Sequence, residues 1–340
     1  MSSLTLPQSA RFQNGLIQVG LVGTGYAAKL RAEAVRSDSR AALVAVAGHN
    51  PEKTQAFSQQ HEISLVEDWQ SLVQRSSLDL IIVANVNREH GAIVRAALQS
   101  GKHVVVEYPL ALDLAEAIEL VALAKAQNKL LHVEHIELLG GVHQALKANL
   151  PTIGRVSYAR YATLNPQHPA PQKWTYRSDL FGFPLMGALS RLHRLIDAFG
   201  EVESVSCQAQ FDDRPLTPFF TNCLCLAQLR FRSGTLAEVV YGKGERVWRL
   251  ERSLQVHGEA GTLVFEGETG TLIQLEERTI EVGSRRGMFG KDTELVLDHL
   301  TTGATLYVSS EASLYTLRVA EAAQRSAASG ETIHLAMGAG

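Results

Sequence analysis

An apolar run, Leu16 to Val22, ends in Gly23-Thr24-Gly25-Tyr26-Ala27-Ala28, and a stretch of helical periodicity, Tyr26 to Arg36, begins inside that turn. The six residues fit G-x-G-x-x-A, and the strand–turn–helix setting is what gives so short a motif meaning. Gly23 permits the tight turn, Gly25 lets backbone approach a pyrophosphate, and Ala28 lets the helix pack close to the strand. The first N–H groups of the helix face the phosphates. Gly23, Thr24, Gly25, Tyr26 and Ala27 are therefore expected contacts of a dinucleotide cofactor.

The alternation continues downstream. Short apolar runs recur at Ala41–Ala47, Leu80–Ala84, His103–Glu107 and Leu130–Glu134. Helix-like stretches lie between them, at Pro51–Gln60, Arg88–Ser100 and Leu112–Asn128, the first opened by Asn50 as N-cap and Pro51 at the first helical position. Strands buried on both faces and separated by helices predict a doubly wound parallel sheet, the Rossmann arrangement. After about residue 150, where Pro151 and Gly154 punctuate the chain, strand-like segments follow one another across short turns: Arg155–Leu164, Val202–Phe211, Cys223–Arg232, Thr235–Tyr241, Leu250–His257 and Thr262–Phe265. That pattern predicts an open, mostly antiparallel sheet. Residues 166–183 read as a long irregular loop of the kind that often binds ligand.

At 340 residues two domains are expected. Residues 15–135 are read as the nucleotide-binding domain and 136–340 as the substrate domain, behind a disordered leader at 1–14. A closing helix at about 311–326 is free to pack back on the first domain. The net charge of -3 gives no reason to expect a nucleic-acid partner. No apolar run approaches the ~18 residues of a spanning helix, and the N-terminus lacks a signal-peptide core. Cys207, Cys223 and Cys225 suit reduced core thiols of a cytoplasmic protein, with too few ligands at suitable spacing for a metal.

Cofactor choice is written at the end of the second strand. Gly48 lies 48 − 23 = 25 residues after the first glycine, where a carboxylate usually accepts from the ribose hydroxyls. The chain has Gly48-His49-Asn50 there, with Lys53 one turn on. A glycine leaves room for a 2′-phosphate, and His49, Asn50 and Lys53 are expected near it, so NADPH is preferred to NADH. Asn85 and Val86 follow a further strand at the carboxyl edge of the sheet, and His90 comes just beyond. All three are cofactor-binding candidates. His90 is read as a packing or cofactor-contact residue rather than an acid–base catalyst.

Gly101 to Pro109, GKHVVVEYP, resembles a hallmark of the glucose–fructose oxidoreductase and inositol dehydrogenase superfamily, in which a strand ends in Glu-Lys-Pro and the lysine is catalytic. Here Tyr108 stands in its place. VGLVGTGYAAKL and the closing SLYTLRVAEAAQRSAASGETIHL extend the resemblance over nearly the whole chain. It implies hydride transfer with a nicotinamide, and places Glu107 and Tyr108 beside the cofactor. The superfamily's Asp-x-x-x-His pair is absent. An ungapped count back from Gly200 puts Met186 and Ser190 at those positions, with His193 and Asp197 nearby, spaced four apart on one helix face and open to a structural reading.

EYPLAL, LHVEHIELL and FGFPLMGALSRLHRLIDAFGE are similar to segments of the biliverdin reductase family, bacterial form. That resemblance implies reduction of biliverdin to bilirubin by hydride delivery to the central methine carbon. It points to Arg191 as electrostatic stabiliser, orienter or proton relay, and to Tyr108 as either pocket-shaping or relaying. Glu137 and His135 are expected at the substrate, as is Arg194 among the cations that would meet two propionates, the others being Lys173, Arg177 and Arg246. Trp174 and Phe183 are expected to stack on a planar ligand, with Tyr176 and Phe181 as further aromatic candidates. A monomer is expected rather than a homodimer. The alternatives are a sugar or inositol dehydrogenase, and an NADPH-binding regulator without catalysis.

Overall fold

The computed structural model describes residues 15–336, so the leader expected at 1–14 lies outside it. Two compact units divide the described chain: residues up to Ile136 together with Gly287–Leu314, and Glu137–Arg286 together with Tyr315 onward.

In the first unit, β1 (Ile17–Val22), β2 (Ala41–Ala47), β3 (Ser64–Leu65), β4 (Leu80–Val83), β5 (His103–Val106) and β6 (Leu131–Val133) form a sheet in the order β3-β2-β1-β4-β5-β6. Every pairing is parallel. All four residues of β4 are buried, as a strand covered by helices on both faces requires. The strand order reverses between β1 and β4, and a sheet of this kind opens its ligand crevice at that switch point. The helix Tyr26–Arg36 has the bounds its periodicity predicts, and Asn50 caps Pro51–His61 by accepting from the Lys53 amide at 2.9 Å.

One helix of this unit escaped the sequence reading. Met288–Thr302 sets Val296, Leu297 and Leu300 into the same core as Ile17, Val19 and Ala28. Its apolar stripe is interrupted by Asp292 and Thr293, which are also buried and hide the periodicity.

The second unit is built on nine strands: β7 (Val156–Pro166), β8 (Val202–Asp213), β9 (Phe220–Phe231), β10 (Leu236–Gly244), β11 (Glu251–Gly258), β12 (Gly261–Glu266), β13 (Thr269–Ile273), β14 (Glu277–Ile280) and β15 (Ile333–His334). Their order is β14-β13-β12-β11-β7-β10-β9-β8-β15. Only β7 and β10 pair in parallel; the other neighbours are antiparallel, so the sheet is mixed but mostly antiparallel as predicted. Pro151 does not mark a boundary. It sits in the last turn of the helix Gly141–Ile153, which ends at Gly154 with φ +71°. The cysteines are free and buried, with the Cys207 and Cys225 sulfurs 3.5 Å apart.

Candidate active site

The glycine turn of the first unit is sterically committed. Gly23 has φ +119°, and a Cβ there would lie 2.1 Å from the Ala84 carbonyl oxygen. A Cβ on Gly25 would instead enter open space. The helix behind it has no side-chain cap and no acidic residue in its first turn, so its leading N–H groups suit an anion. A Cβ on Gly48 would meet the Thr54 hydroxyl at 2.5 Å and the Thr24 methyl at 3.1 Å, so this glycine brings the ends of β1 and β2 together. His49, Asn50 and Lys53 are exposed beside it. Asn85 donates to Glu89 at 2.7 Å, and its own Oδ1 is buried without a partner. An open cradle, an uncapped helix end and an orphaned acceptor fit a dinucleotide.

Behind this turn is a buried ionic network. Arg31, fully buried, donates from Nε to Glu107 at 2.8 Å and from Nη1 to Asp292. His132 and the Tyr307 hydroxyl also hold Asp292, at 2.8 and 2.7 Å. Burial alone would raise the Asp292 carboxyl; Arg31 and His132 hold it well below the usual carboxylate range. Glu134 is pushed the other way by burial and by Glu107, well above that range, against the pull of Arg31.

His90 takes the packing reading: it has no exposed surface, and its Nδ1 lies 2.8 Å from the Pro109 carbonyl oxygen. Burial lowers its pKa, so the neutral ring donates to that carbonyl and fixes the turn after Tyr108. His135, expected at the substrate, is packed inside the first unit. It is fully buried, 2.9 Å from the Ser313 hydroxyl, and its ring stacks on Tyr108 at 5.6 Å between centroids and 7° between planes. Glu107, expected beside the cofactor, pairs with Arg31 at 2.8 Å.

The second unit carries a cleft lined by Glu137, Tyr161, Thr163, Arg191, Arg194, Arg252 and Arg285, among others. The helix Ser190–Phe199 supplies Arg191 and Arg194, and alternation along β11 turns Arg252 to the same side as Leu254. Glu137 accepts from Arg194 at 3.0 Å and from Arg285 at 2.7 Å. Burial opposes its charge, but Arg194 and Arg285 hold its pKa below the usual value. Arg191 adds to that effect on Glu137. Arg252 forms no ion pair among the described residues, and the buried Nε of Arg194 has no acceptor. The Arg191 guanidinium lies over the Tyr241 ring at 5.6 Å and reaches Ser190 at 3.0 Å. A surplus of guanidinium in a cleft is a site for an anion.

The remaining candidates separate by geometry. Arg177 is paired with Asp179 and Arg246 with Asp212, so neither is held in reserve. Tyr176 and Phe181 are buried core rings; Trp174 and Phe183 are half-buried and do not line the cleft. Met186 and Ser190, at the positions of the superfamily's acid–base pair, are both buried. Burial drives His193 down to about 4, and Asp197 turns to His143 at 2.9 Å, so this helix face is structural. Arg252 and Arg285 were not foreseen. The in–out alternation of β11 was a signal for the first; the loop holding Arg285 offered none.

Two profiles match the chain: "Oxidoreductase family, NAD-binding Rossmann fold" over residues 17–135 and "Oxidoreductase family, C-terminal alpha/beta domain" over 149–335, both of the GFO/IDH/MocA group. A biliverdin reductase from Synechocystis sp. PCC 6803, crystallised with biliverdin and NADP+, is 52% identical, with a TM-score of 0.91 over 92% of this chain and 99% of that one. Biliverdin reductase A of Mus musculus is 26% identical over 83% of this chain and 85% of its own length. A levoglucosan dehydrogenase in complex with NADH, 18% identical with a TM-score of 0.83 over 94% of this chain and 99% of its own, shares the fold.

Proposed function

The chain belongs to the GFO/IDH/MocA oxidoreductase family, and from that premise we propose that it reduces biliverdin to bilirubin with NADPH. The observation that carries the reading is the 52% identity, over almost the entire chain, to a biliverdin reductase crystallised with biliverdin and NADP+. The side chains support it independently. Tyr108 replaces the catalytic lysine and buried Met186 and Ser190 replace the acid–base pair, so alcohol oxidation has no base. The cleft instead offers guanidinium groups to an anionic ligand.

NADPH, when bound, supplies a hydride, which carries both electrons of the reduction. The Gly23–Ala28 turn and the uncapped helix would hold its pyrophosphate, Asn85 Oδ1 would accept near the nicotinamide end, and His49 and Lys53 would meet the 2′-phosphate. Tyr108 presents a ring fixed from behind by His135. In the arginine cleft, Arg191 stabilises the negative charge that grows on the conjugated tetrapyrrole as the central methine carbon accepts hydride. An isolated guanidinium is a poor acid, so Arg191 orients and stabilises while water or a propionate delivers the proton to the pyrrole nitrogen.

Biliverdin and bilirubin absorb at different wavelengths, so a spectral assay with NADPH tests the reading. Loss of the biliverdin band with growth of the bilirubin band is expected. NADPH binding without oxidation under any bilin would point to a regulator, and turnover of polyols with NADP+ to a sugar dehydrogenase.

A further inference from the structure

Lys243 on β10 is buried, 5% exposed, and has no part in the chemistry described above. Its ammonium donates to the Thr175 carbonyl oxygen at 2.5 Å and faces the rings of Phe181 at 3.8 Å, Tyr176 at 4.9 Å, Phe220 at 5.4 Å and Tyr241 at 5.8 Å. It forms no ion pair among the described residues. The ionisable groups acting on it are the thiol of Cys223 and the cations Lys173 and Arg191. Burial pushes the Cys223 thiol up, and the Tyr176 hydroxyl up to about 12, so both stay neutral at ordinary pH. Glu245, two residues along, is committed to the Ala170 amide at 2.9 Å and to Arg214 at 3.8 Å. A cation buried without a counter-ion costs stability, which makes a functional reason worth seeking.

The link to the cleft is Tyr241, whose ring receives both Lys243 and Arg191. We propose that Lys243 is a positioning residue for the reduction: its unpaired buried charge, sharing the Tyr241 ring with Arg191, raises the positive potential where the tetrapyrrole becomes negative. This rests on the biliverdin reading. Hydride brings two electrons to the methine carbon and a C–H bond forms there, so the acceptor carries one negative charge until a pyrrole nitrogen takes a proton from water. A fixed cation with no carboxylate to cancel it favours that charge without reorganising.

Burial, with Lys173 and Arg191 adding to it and Cys223 opposing, lowers the Lys243 ammonium to about 8, so its charge is lost as pH rises through that value. An unfolded lysine holds its proton to higher pH. The buried charge therefore costs stability at neutral pH, and that cost is relieved as pH rises.

The experiment compares wild type, Lys243→Met and Lys243→Arg at saturating biliverdin and NADPH across neutral and alkaline pH, with Tm measured at neutral pH. In the wild type kcat should fall as pH rises through about 8. Lys243→Met should lose about tenfold in kcat at neutral pH, lack that fall, and melt higher. Lys243→Arg should keep kcat within about threefold and also lack the fall, because guanidinium stays charged. Wild-type kcat with the same alkaline fall in Lys243→Met overturns the proposal. If Lys243→Met does not fold, an unchanged alkaline fall in Lys243→Arg overturns it instead. A wild type that binds NADPH but leaves biliverdin unreduced rejects the substrate reading, and the proposal with it.

Discussion

Arg31 and Glu107 meet at 2.8 Å inside the first unit, tying the helix of the glycine turn to the residue before Tyr108. The same guanidinium holds Asp292, so one arginine joins the helix Tyr26–Arg36 and the end of β5 to the late helix Met288–Thr302. Arg31→Met leaves two carboxylates without their cation, Asp292 of them fully buried, and should destabilise by about 3–5 kcal/mol, read as a lower urea midpoint at unchanged slope. The pH dependence has a definite sign. The folded pKa of Asp292 is depressed, so its stabilisation is complete above the unfolded aspartate pKa and lost as pH falls through the folded one. Acid unfolding of the wild type should track that loss, and the acid sensitivity should shrink in Arg31→Met.

Tyr108 lies nearly parallel to a histidine that is itself fully buried. The aromatic face is what this arrangement fixes. Tyr108→Phe keeps the stack and should retain kcat within about tenfold, ~1.4 kcal/mol, whereas Tyr108→Ala should fall further. A larger loss in Tyr108→Phe, measured under saturating substrate, assigns the hydroxyl to proton transfer.

Much of this was readable from local sequence, and what was not has a common cause. The Gly23–Ala28 turn and the Asn50 cap are set by residues within a few positions of each other, and both have the predicted form. His90 and His135 sit beside strand ends, where a sequence reading expects ligand contacts. Their burial is decided by distant partners: Pro109 for one, Ser313 for the other. The helix Met288–Thr302 was hidden because Asp292 occupies a core position that Arg31 makes tolerable. Arg191 was visible in a matching segment, but the cleft around it also needs Arg252 from β11 and Arg285 from a loop.

Arg252 lines the cleft and forms no ion pair among the described residues, so its charge is open to a ligand carboxylate. Arg252→Gln should raise KM for biliverdin by about tenfold with little change in kcat. Biliverdin dimethyl ester, which lacks the charge, should be handled alike by wild type and variant. An equal KM for the acid in both proteins removes Arg252 from substrate binding.

The coenzyme preference follows from what is missing at the end of β2. Gly48 contributes no carboxylate to repel a 2′-phosphate, and His49 and Lys53 are exposed beside it. NADPH should show the higher kcat/KM, and Lys53→Ala should narrow the ratio to NADH by about tenfold through KM. Equal values for the two coenzymes in the wild type reject the assignment.

Arg191 is held by Ser190 at 3.0 Å and the Tyr241 ring at 5.6 Å, and its charge also acts on Glu137. A guanidinium held in place by a hydroxyl and an aromatic ring is suited to charge that appears only during the reaction. Arg191→Ala should lower kcat by about a hundredfold or more, comparable to removing a single preorganised donor elsewhere. NADPH binding, read by its fluorescence, should be unchanged, because the residue belongs to the unit without the glycine turn. Arg191→Lys retains a charge but not the planar fork, and should recover only part of the rate. The split between the two variants separates charge from orientation, and near-normal kcat in Arg191→Ala removes the residue from the chemistry.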